Sequence, residues 1–277
     1  MKRIMLLILT FALLCTPSFA IDCNDSNISD QQVYAITKNE FEILLQDDTA
    51  GSVQRLDRVQ ENYSNAIKCL TKYDDAVLIS MGYSEETVAL VQKFRTSENY
   101  APTVAELTSA APTMTFYVYD FIASTANNTT DVTFKWTFKW DSRPAQTKVD
   151  AVGAVWNHDH MYCSSASHEI TFSDGTTYRT RDDLYDMGIH IDNDEKLIAM
   201  KFPMYSDNSS TIWCKSGKGQ FSLHMNERVT SVQIAWGYGH QTHGRVESIN
   251  ITFGGGSLNF GSNYTTLCQD IRTYYVN

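Results

Sequence analysis

The spacing of apolar residues changes from a helical to an extended pattern part-way along the chain. From residue 53 to 70 they recur at steps of three and four, which predicts one amphipathic helix: Val53, Leu56, Val59, Tyr63, Ile67 and Leu70. A second helix is predicted after Ser84, an N-cap residue followed by acids in the first turn. A third is predicted over 30–45. Pro102 and Pro112 break the helical pattern, so a linker is predicted between 97 and 112.

Beyond residue 111 the pattern has a period of two. Four aromatic residues of segment 131–141 occupy one face of a predicted strand, opposite Lys135, Thr137 and Lys139: Phe134, Trp136, Phe138 and Trp140. Further strands are predicted over 114–122, 147–156, 168–172, 197–202, 211–216, 220–225, 229–236, 246–253 and 257–260. Asp174-Gly175 predicts a hairpin, and so do the glycines at 254–256.

These patterns predict an α+β multidomain protein. A small helical domain occupies 21–110, and an antiparallel β-sandwich of jelly-roll-like type occupies 111–277. The aromatic face of segment 131–141 is predicted to fill the space between two sheets, because a sandwich needs large apolar side chains on its inner faces. The alternative is an amphipathic hairpin with segment 147–156 that enters a membrane.

Residues 1–20 have the organisation of a secretory signal peptide. Lys2 and Arg3 precede an apolar run from 4 to 15, and Ser18 and Ala20 are small residues suited to cleavage. The run is shorter than the ~20 residues that span a bilayer, and no transmembrane segment is predicted elsewhere. The protein is therefore predicted to be secreted, extracellular or periplasmic. A lipid anchor at Cys15 is the alternative, disfavoured by Leu14 immediately before it.

Charge excludes one class of partner. The formal net charge is −10, and removing the leader's two cations makes it about −12. A nucleic-acid-binding protein would normally show a basic patch, so no nucleic-acid partner is predicted. Asn-x-Ser/Thr sequons predict a glycoprotein if the host glycosylates asparagine, and they occur at Asn27, Asn62, Asn127, Asn128, Asn208, Asn250 and Asn263.

Five cysteines follow the predicted leader, and an oxidising compartment favours their pairing. Cys23 and Cys69 are the two in the N-terminal part and are predicted to form one disulfide. Cys163 and Cys214 are predicted to form a second, with Cys214 and Cys268 as the alternative pair. The remaining thiol is predicted to be buried.

A histidine cluster is the candidate metal site. His158 and His160 would project to one side of an extended segment, and His168 follows eight residues later. Gly153, His158, His160, Glu169 and Gly175 resemble, over about 23 residues, the first metal motif of the cupins, which are jelly rolls. The gap from His160 to Glu169 is longer than in that family. The second motif would need His243, which lacks the preceding Pro-x-Gly.

A glycine-rich segment, 237–244, is the candidate ligand-binding loop. It and its neighbours supply aromatic rings, donors and acceptors suited to a sugar: Trp156, Trp236, Tyr238, His240 and His243. A plain hairpin connection is the alternative for this segment.

The favoured function is a secreted, non-enzymatic recognition protein that binds carbohydrate or another cell-surface ligand through loops of the sandwich. The alternatives are a membrane-acting, pore-forming toxin and an enzyme that uses a divalent metal at His158 and His160. No catalytic motif is found, so the sequence identifies no catalytic residue and leaves enzymatic activity and oligomeric state open. Apart from that divalent metal, no cofactor is predicted.

Overall fold

A computed structural model describes residues 38, 41, 45, 50–97, 99–144, 149–180, 188–206, 209–241, 252–254, 257–260 and 264–276. The predicted leader, Cys23 and His243 lie outside the described residues. Helices form the first part of this range: α1 (Ala50–Cys69), a 3-10 turn (Leu70–Lys72), α2 (Asp75–Ser80), α3 (Glu85–Thr96) and α4 (Val104–Ala110). Within the segment predicted as a helix over 30–45, Lys38, Phe41 and Leu45 are helical.

Helix caps confirm one sequence prediction and correct another. The Ser84 side chain accepts a hydrogen bond from the backbone N–H of Thr87 at 3.1 Å and caps α3 as predicted. The predicted linker over 97–112 is wrong, because α4 lies within it. Thr103 and Glu106 form a capping box at its start, so Pro102 precedes a helix instead of ending ordered structure.

The helices pack on a core of their own, built from the apolar faces of α1, α3 and α4 and including Phe41, Tyr63, Ile67, Leu70, Leu78, Val91, Phe94 and Leu107. The carbonyl of Ala110, at the end of α4, accepts hydrogen bonds from the Tyr63 hydroxyl at 2.9 Å and from the Thr87 hydroxyl at 2.8 Å. These bonds join α1 and α3 to the C-terminus of α4, where carbonyls lack partners within the helix. Burial raises the pKa of Tyr63, so its hydroxyl stays a donor.

Thirteen strands are found in the described part of the chain: β1 (Met114–Ala126), β2 (Thr129–Trp140), β3 (Val149–Trp156), β4 (Tyr162–Phe172), β5 (Thr177–Thr180), β6 (Ile189–Asp192), β7 (Leu197–Pro203), β8 (Tyr205–Ser206), β9 (Ser209–Met225), β10 (Ser231–Gln241), β11 (Thr252–Gly254), β12 (Ser257–Asn259) and β13 (Tyr264–Tyr275). The first sheet has the order β1-β2-β9-β4-β5, with β8 also paired to β9. The second sheet has the order β13-β10-β3-β7-β6. Every pairing is antiparallel, so the predicted β-sandwich is confirmed.

The aromatic face of β2 lies between the two sheets. Its four rings are almost fully buried: Phe134, Trp136, Phe138 and Trp140. Phe138 stacks on Phe202 of the second sheet with ring centroids 5.1 Å apart, and Phe116 stacks on Trp236 at the same distance. The prediction that these rings fill the core is confirmed. The alternative hairpin is wrong, because β2 pairs with β1 and β9 whereas β3 belongs to the other sheet.

The strand predictions fail at several places. The segments 211–216 and 220–225 are one strand, β9, with Gly217 and Gly219 at its centre. A Cβ at Gly217 would lie 2.5 Å from the Phe138 ring, and Gly219 faces Trp136 in the same way. These glycines therefore make room for core rings instead of forming a turn. The sequence also missed the short strands β6 and β8, and it missed β13, an edge strand whose mixed polar sequence lacks a clear alternation.

The tight turns between strands are formed by Asp, Asn and Gly residues. Asp174 accepts a hydrogen bond from the Thr176 N–H at 2.9 Å, and Gly175 has a φ of 86°, which confirms the predicted hairpin between β4 and β5. Asn127 and Asn128 join β1 to β2 with φ values of 51° and 64°. The hairpin predicted at 254–256 is also confirmed, because Gly254 of β11 pairs with Ser257 of β12.

A close contact joins the helices to the sandwich. Gly82, between α2 and α3, has a φ of 92° and lies against the indole of Trp213 on β9. The Arg143 N–H donates to the Gly82 carbonyl at 2.9 Å, and the buried Arg143 guanidinium lies 5.4 Å from the centre of the Tyr83 ring. Among the described helices, none is long and apolar enough to cross a membrane.

Candidate functional site

The cysteine predictions have different outcomes. Cys69 is disulfide-bonded, while its predicted partner Cys23 lies outside the described residues. The predicted bond between Cys163 and Cys214 is wrong. Cys163 lies opposite Leu223 of β9, so about nine residues of strand, roughly 30 Å, separate it from Cys214, far beyond the reach of a disulfide. Cys214 is a buried free thiol, which also excludes its alternative bond to Cys268.

The structure does not bring the predicted metal ligands together. His158 is held by the Ser231 carbonyl, 2.7 Å from its Nε2, whereas His160 is exposed in the following turn. His168 lies well along β4, buried in the core, with its ring 6.0 Å from that of Phe202. Among the described residues, no group of three or more His, Cys, Asp or Glu side chains could hold a metal ion. The prediction of a site formed by these three histidines is therefore wrong.

The candidate ligand-binding loop is largely a strand. β10 continues to Gln241, so Trp236, Tyr238 and His240 are buried residues of its inner face. Trp156 is buried at the end of β3 and donates its indole N–H to the Met161 carbonyl at 2.7 Å. Gly237 and Gly239 are on the outer face of β10, where Phe260 fills the space beside Gly239. The prediction of a loop is wrong for the described residues up to Gln241, because they belong to a strand. The glycines of this strand leave room for Phe260 against its outer face.

Asp150 organises a buried polar cluster where these residues meet. Its carboxylate accepts hydrogen bonds from the Tyr238 hydroxyl at 2.5 Å, from His240 Nδ1 at 2.7 Å and from the Gln241 N–H at 3.2 Å. Burial, and then the Asp150 charge, raise the pKa of Tyr238 and of the Cys214 thiol, so both remain protonated. Asp150, Tyr238 and His240 are fully buried, so this cluster binds β3 to β10 and presents none of these three side chains to a ligand.

A different surface, the outer face of the first sheet, has the features of a binding site. Cross-strand neighbours form a middle row on β1, β2, β9, β4 and β5 that consists of Tyr117, Thr137, Lys218, Glu169 and Arg179. One flanking row contains Thr115, Lys139, Ser216, Thr171 and Thr177, and the other contains Lys135, Gln220 and Ser167. We call the surface formed by these three rows the lysine face.

The lysine face is positively charged on an acidic protein. Its three rows contain four cations and one carboxylate, whereas the whole chain has a formal net charge of −10. Glu169 forms ion pairs with Lys218, at 3.2 Å, and with Arg179. Hydrogen bonds from these two cations lower the pKa of Glu169, so it remains ionised. The side chains of Lys218 and Arg179 are 60% and 65% exposed, and both remain open to solvent.

Sequence reasoning missed this surface for a topological reason. Lys135 and Lys139 are visible as the polar face of β2, but this indicates only a solvated strand. Lys218 lies 81 positions beyond Thr137, its cross-strand neighbour, and joins the face only through the pairing of β2 with β9. The alternation of polar and apolar residues in β2 and β4 is the sequence signal for this face. Combining the polar residues of the two strands requires the strand order.

Comparisons with known proteins identify no family. No protein-family model and no curated protein matches the chain. Solved structures similar to this chain include the collagen-binding domain of a Staphylococcus aureus adhesin, at 8% identity and TM-score 0.32, covering 58% of this chain and 96% of that domain. The collagen-binding subdomain of the Enterococcus faecalis surface protein ACE matches at 11% identity and TM-score 0.29, covering 58% and 94%. AvmM, which catalyses macrocyclization in alchivemycin A biosynthesis, matches at 10% identity and TM-score 0.33, covering 59% and 88%.

Proposed function

We propose that the protein is a secreted, non-enzymatic recognition protein that binds an acidic carbohydrate of a cell surface through the lysine face. The observation that supports this most is the gathering of four cations on one open sheet of an otherwise acidic molecule. Such a local potential attracts anions, although the molecule as a whole repels them. The leader-like residues 1–20 support secretion, and the helices up to residue 110 form a separate domain in this proposal.

The spacing of the cations suits a linear polymer. Lys218 and Arg179 lie on strands two positions apart, so their backbones are separated by about 10 Å. Lys135 and Lys139 are four residues apart on β2, roughly 13 Å along the strand. A polysaccharide with a sulfate or carboxylate on each repeat can meet several of these cations at once.

The polar composition of the face favours a sugar among anionic ligands. Tyr117 is 60% exposed at the edge and presents an aromatic ring on which a sugar can stack. Threonine and serine hydroxyls alternate with the cations and can both donate and accept hydrogen bonds. The Glu169 carboxylate adds an acceptor for sugar hydroxyls at the centre of the face.

Binding of a sulfated polysaccharide and of a matched neutral polysaccharide tests the proposal. We expect the wild-type protein to bind only the sulfated polymer, with an affinity that falls as salt increases. K139Q/K218Q should lower that affinity about tenfold, since each exposed ion pair contributes roughly 0.7 kcal/mol. K68Q/K72Q is the matched control, because it removes two exposed lysines from the helical part, and it should bind as the wild type does.

Two different results would contradict the proposed function. Equal losses in the two variants would show that net charge, not the lysine face, controls binding. Wild-type protein that binds neither polymer at low salt would exclude an acidic carbohydrate as the ligand.

A further inference from the structure

The second sheet ends in an edge strand with an open side. Among the described strands, β13 pairs only with β10, and its second half carries exposed apolar side chains. Ile271 is 37% exposed and Tyr275 is 77% exposed, although both lie within a regularly paired strand. A long edge strand with apolar side chains is a template for pairing with another chain.

The backbone of Ile271 shows which way this edge faces. Its N–H donates to the Asp270 carboxylate at 2.8 Å, so this N–H is directed away from β10. Asp270 also forms an ion pair with Arg272, two residues along the same strand. Among the described residues, the partner of the Ile271 N–H is the Asp270 side chain, which can move. An acid and a base, Asp270 and Arg272, lie on either side of Ile271.

We propose that β13 pairs in an antiparallel manner with β13 of a second copy of this chain. Placing Ile271 opposite Ile271 of the partner subunit brings Asp270 opposite Arg272 of the partner subunit, and the reverse. Opposite charges on directly opposed residues favour this register, and the two isoleucines are matched apolar neighbours. The same surface is used on both copies, as two-fold symmetry requires.

Self-complementarity is the reason for a second copy as the occupant of the edge. The sequence Asp-Ile-Arg reads as acid, apolar, base in one direction, and an antiparallel copy presents base, apolar, acid opposite it. Asp270 would exchange its bond to the Ile271 N–H for Arg272 of the partner subunit, while a backbone carbonyl of the partner accepts from that N–H. The product is a continuous sheet of ten strands.

Sedimentation equilibrium over a wide range of protein concentration tests the dimer. Asp270→Arg would place like charges opposite each other at two positions, and Arg272→Asp would do the same. We expect each single variant to shift the equilibrium towards monomer at least tenfold, and D270R/R272D to restore the wild-type equilibrium. Each single variant also loses the ion pair within its own chain, and the double variant restores that pair. Circular dichroism of the single variants is therefore needed to show that they fold.

Hydrogen exchange gives a second, independent measurement. The Ile271 amide should become more protected as wild-type concentration rises, while amides of β2 should not change. A wild-type protein that stays monomeric at all concentrations would overturn the proposal. A dimer that the single charge changes leave intact would also overturn it, because another surface would then form the dimer. If the double exchange failed to restore a dimer lost in the single variants, Asp270 and Arg272 would not be paired across the interface, and the proposed register would be wrong.

Discussion

His224 shows how the partners of a single side chain determine its charge. Its Nδ1 lies 2.7 Å from a carboxylate oxygen of Asp131, and its Nε2 lies 3.1 Å from the amide oxygen of Asn226. Oxygen acceptors at both ring nitrogens favour the form that carries a proton on each. These hydrogen bonds, from Asp131 first and then Asn226, raise the pKa of His224. These two acceptors therefore stabilise the imidazolium form in the folded structure.

The stability that His224 contributes should depend on pH in a defined direction. Because the pKa is higher in the folded than in the unfolded chain, the contribution is complete below about pH 6.5 and is lost as pH rises through the folded pKa. We expect H224Q to be less stable than the wild type at about pH 5.5, with a smaller difference at about pH 9. Urea unfolding at both pH values measures this.

An NMR titration of D131N provides the control for that mechanism. Asparagine keeps an acceptor oxygen but loses the charge, so this change should bring the pKa of His224 back towards the usual range of histidine. A difference between H224Q and the wild type that is the same at both pH values would mean that packing, not charge, explains the contribution of this residue.

At the scale of an element, β9 shows that a strand can depend on residues with no side chain. Gly217 and Gly219 lie on its inner face, beneath the rings of Phe138 and Trp136. Those rings are part of a close-packed core and are not flexible ends that can swing aside. Each glycine is thus the counterpart of one aromatic residue on β2.

G217A and G219A should each destabilise the sandwich by about 1–3 kcal/mol, the usual range for overpacking a core. Q220A is the matched control, since it changes the same strand on the opposite face, and it should be nearly neutral. Midpoints of urea unfolding measure the difference. If G217A were as stable as Q220A, the Phe138 ring would have room that the structure does not show.

The element scale also shows where sequence patterns are sufficient. Alternation in β2 predicted both the strand and its buried face, because a period of two needs no knowledge of neighbours. The same method split β9 and interpreted the second half of β10, from Gly237, as a loop. A glycine in a sequence does not indicate whether it forms a turn or makes space for a neighbouring side chain. α4 was missed although Thr103 and Glu106 form a recognisable capping box, because Pro102 was interpreted as a break.

At the scale of the whole molecule, Gly82 couples the helical core to the sandwich. A side chain here would meet the Trp213 indole, and the φ of 92° is one that L-residues rarely adopt. Arg143 strengthens the same contact through the Gly82 carbonyl and the Tyr83 ring. The contact joins residues more than 60 positions apart in the sequence.

G82A should weaken this coupling. We expect amides of α2 and α3 to lose protection from hydrogen exchange while amides of β2 and β10 keep theirs, because only the helical side depends on the contact. G175A is a matched control, since Gly175 also has a positive φ, 86°, but has nothing within 4 Å of an added Cβ. Equal local losses in the two variants would indicate backbone strain alone, without a role for Trp213.

The candidate site could be predicted less well than the fold for a related reason. Each row of the lysine face combines residues from strands that are distant in sequence, and only the strand order aligns them. The histidines and tryptophans that attracted attention in the sequence lie mostly in the core, where an unusual residue satisfies packing or a buried carboxylate. Polar residues that are neighbours in the sequence are therefore a weaker indication of a binding site than polar residues that are neighbours across a sheet.

The open edge of β13 has a consequence for how strongly the protein would hold a surface. Antiparallel strands related by a two-fold axis perpendicular to the sheet keep the same side facing up, so a β13-paired dimer would direct both lysine faces towards one target. Two weak sites that act on the same polymer raise the effective local concentration of the second site, and avidity can exceed the affinity of one site by 10²-fold or more, roughly. A modest affinity at each sheet would then be enough for lasting attachment.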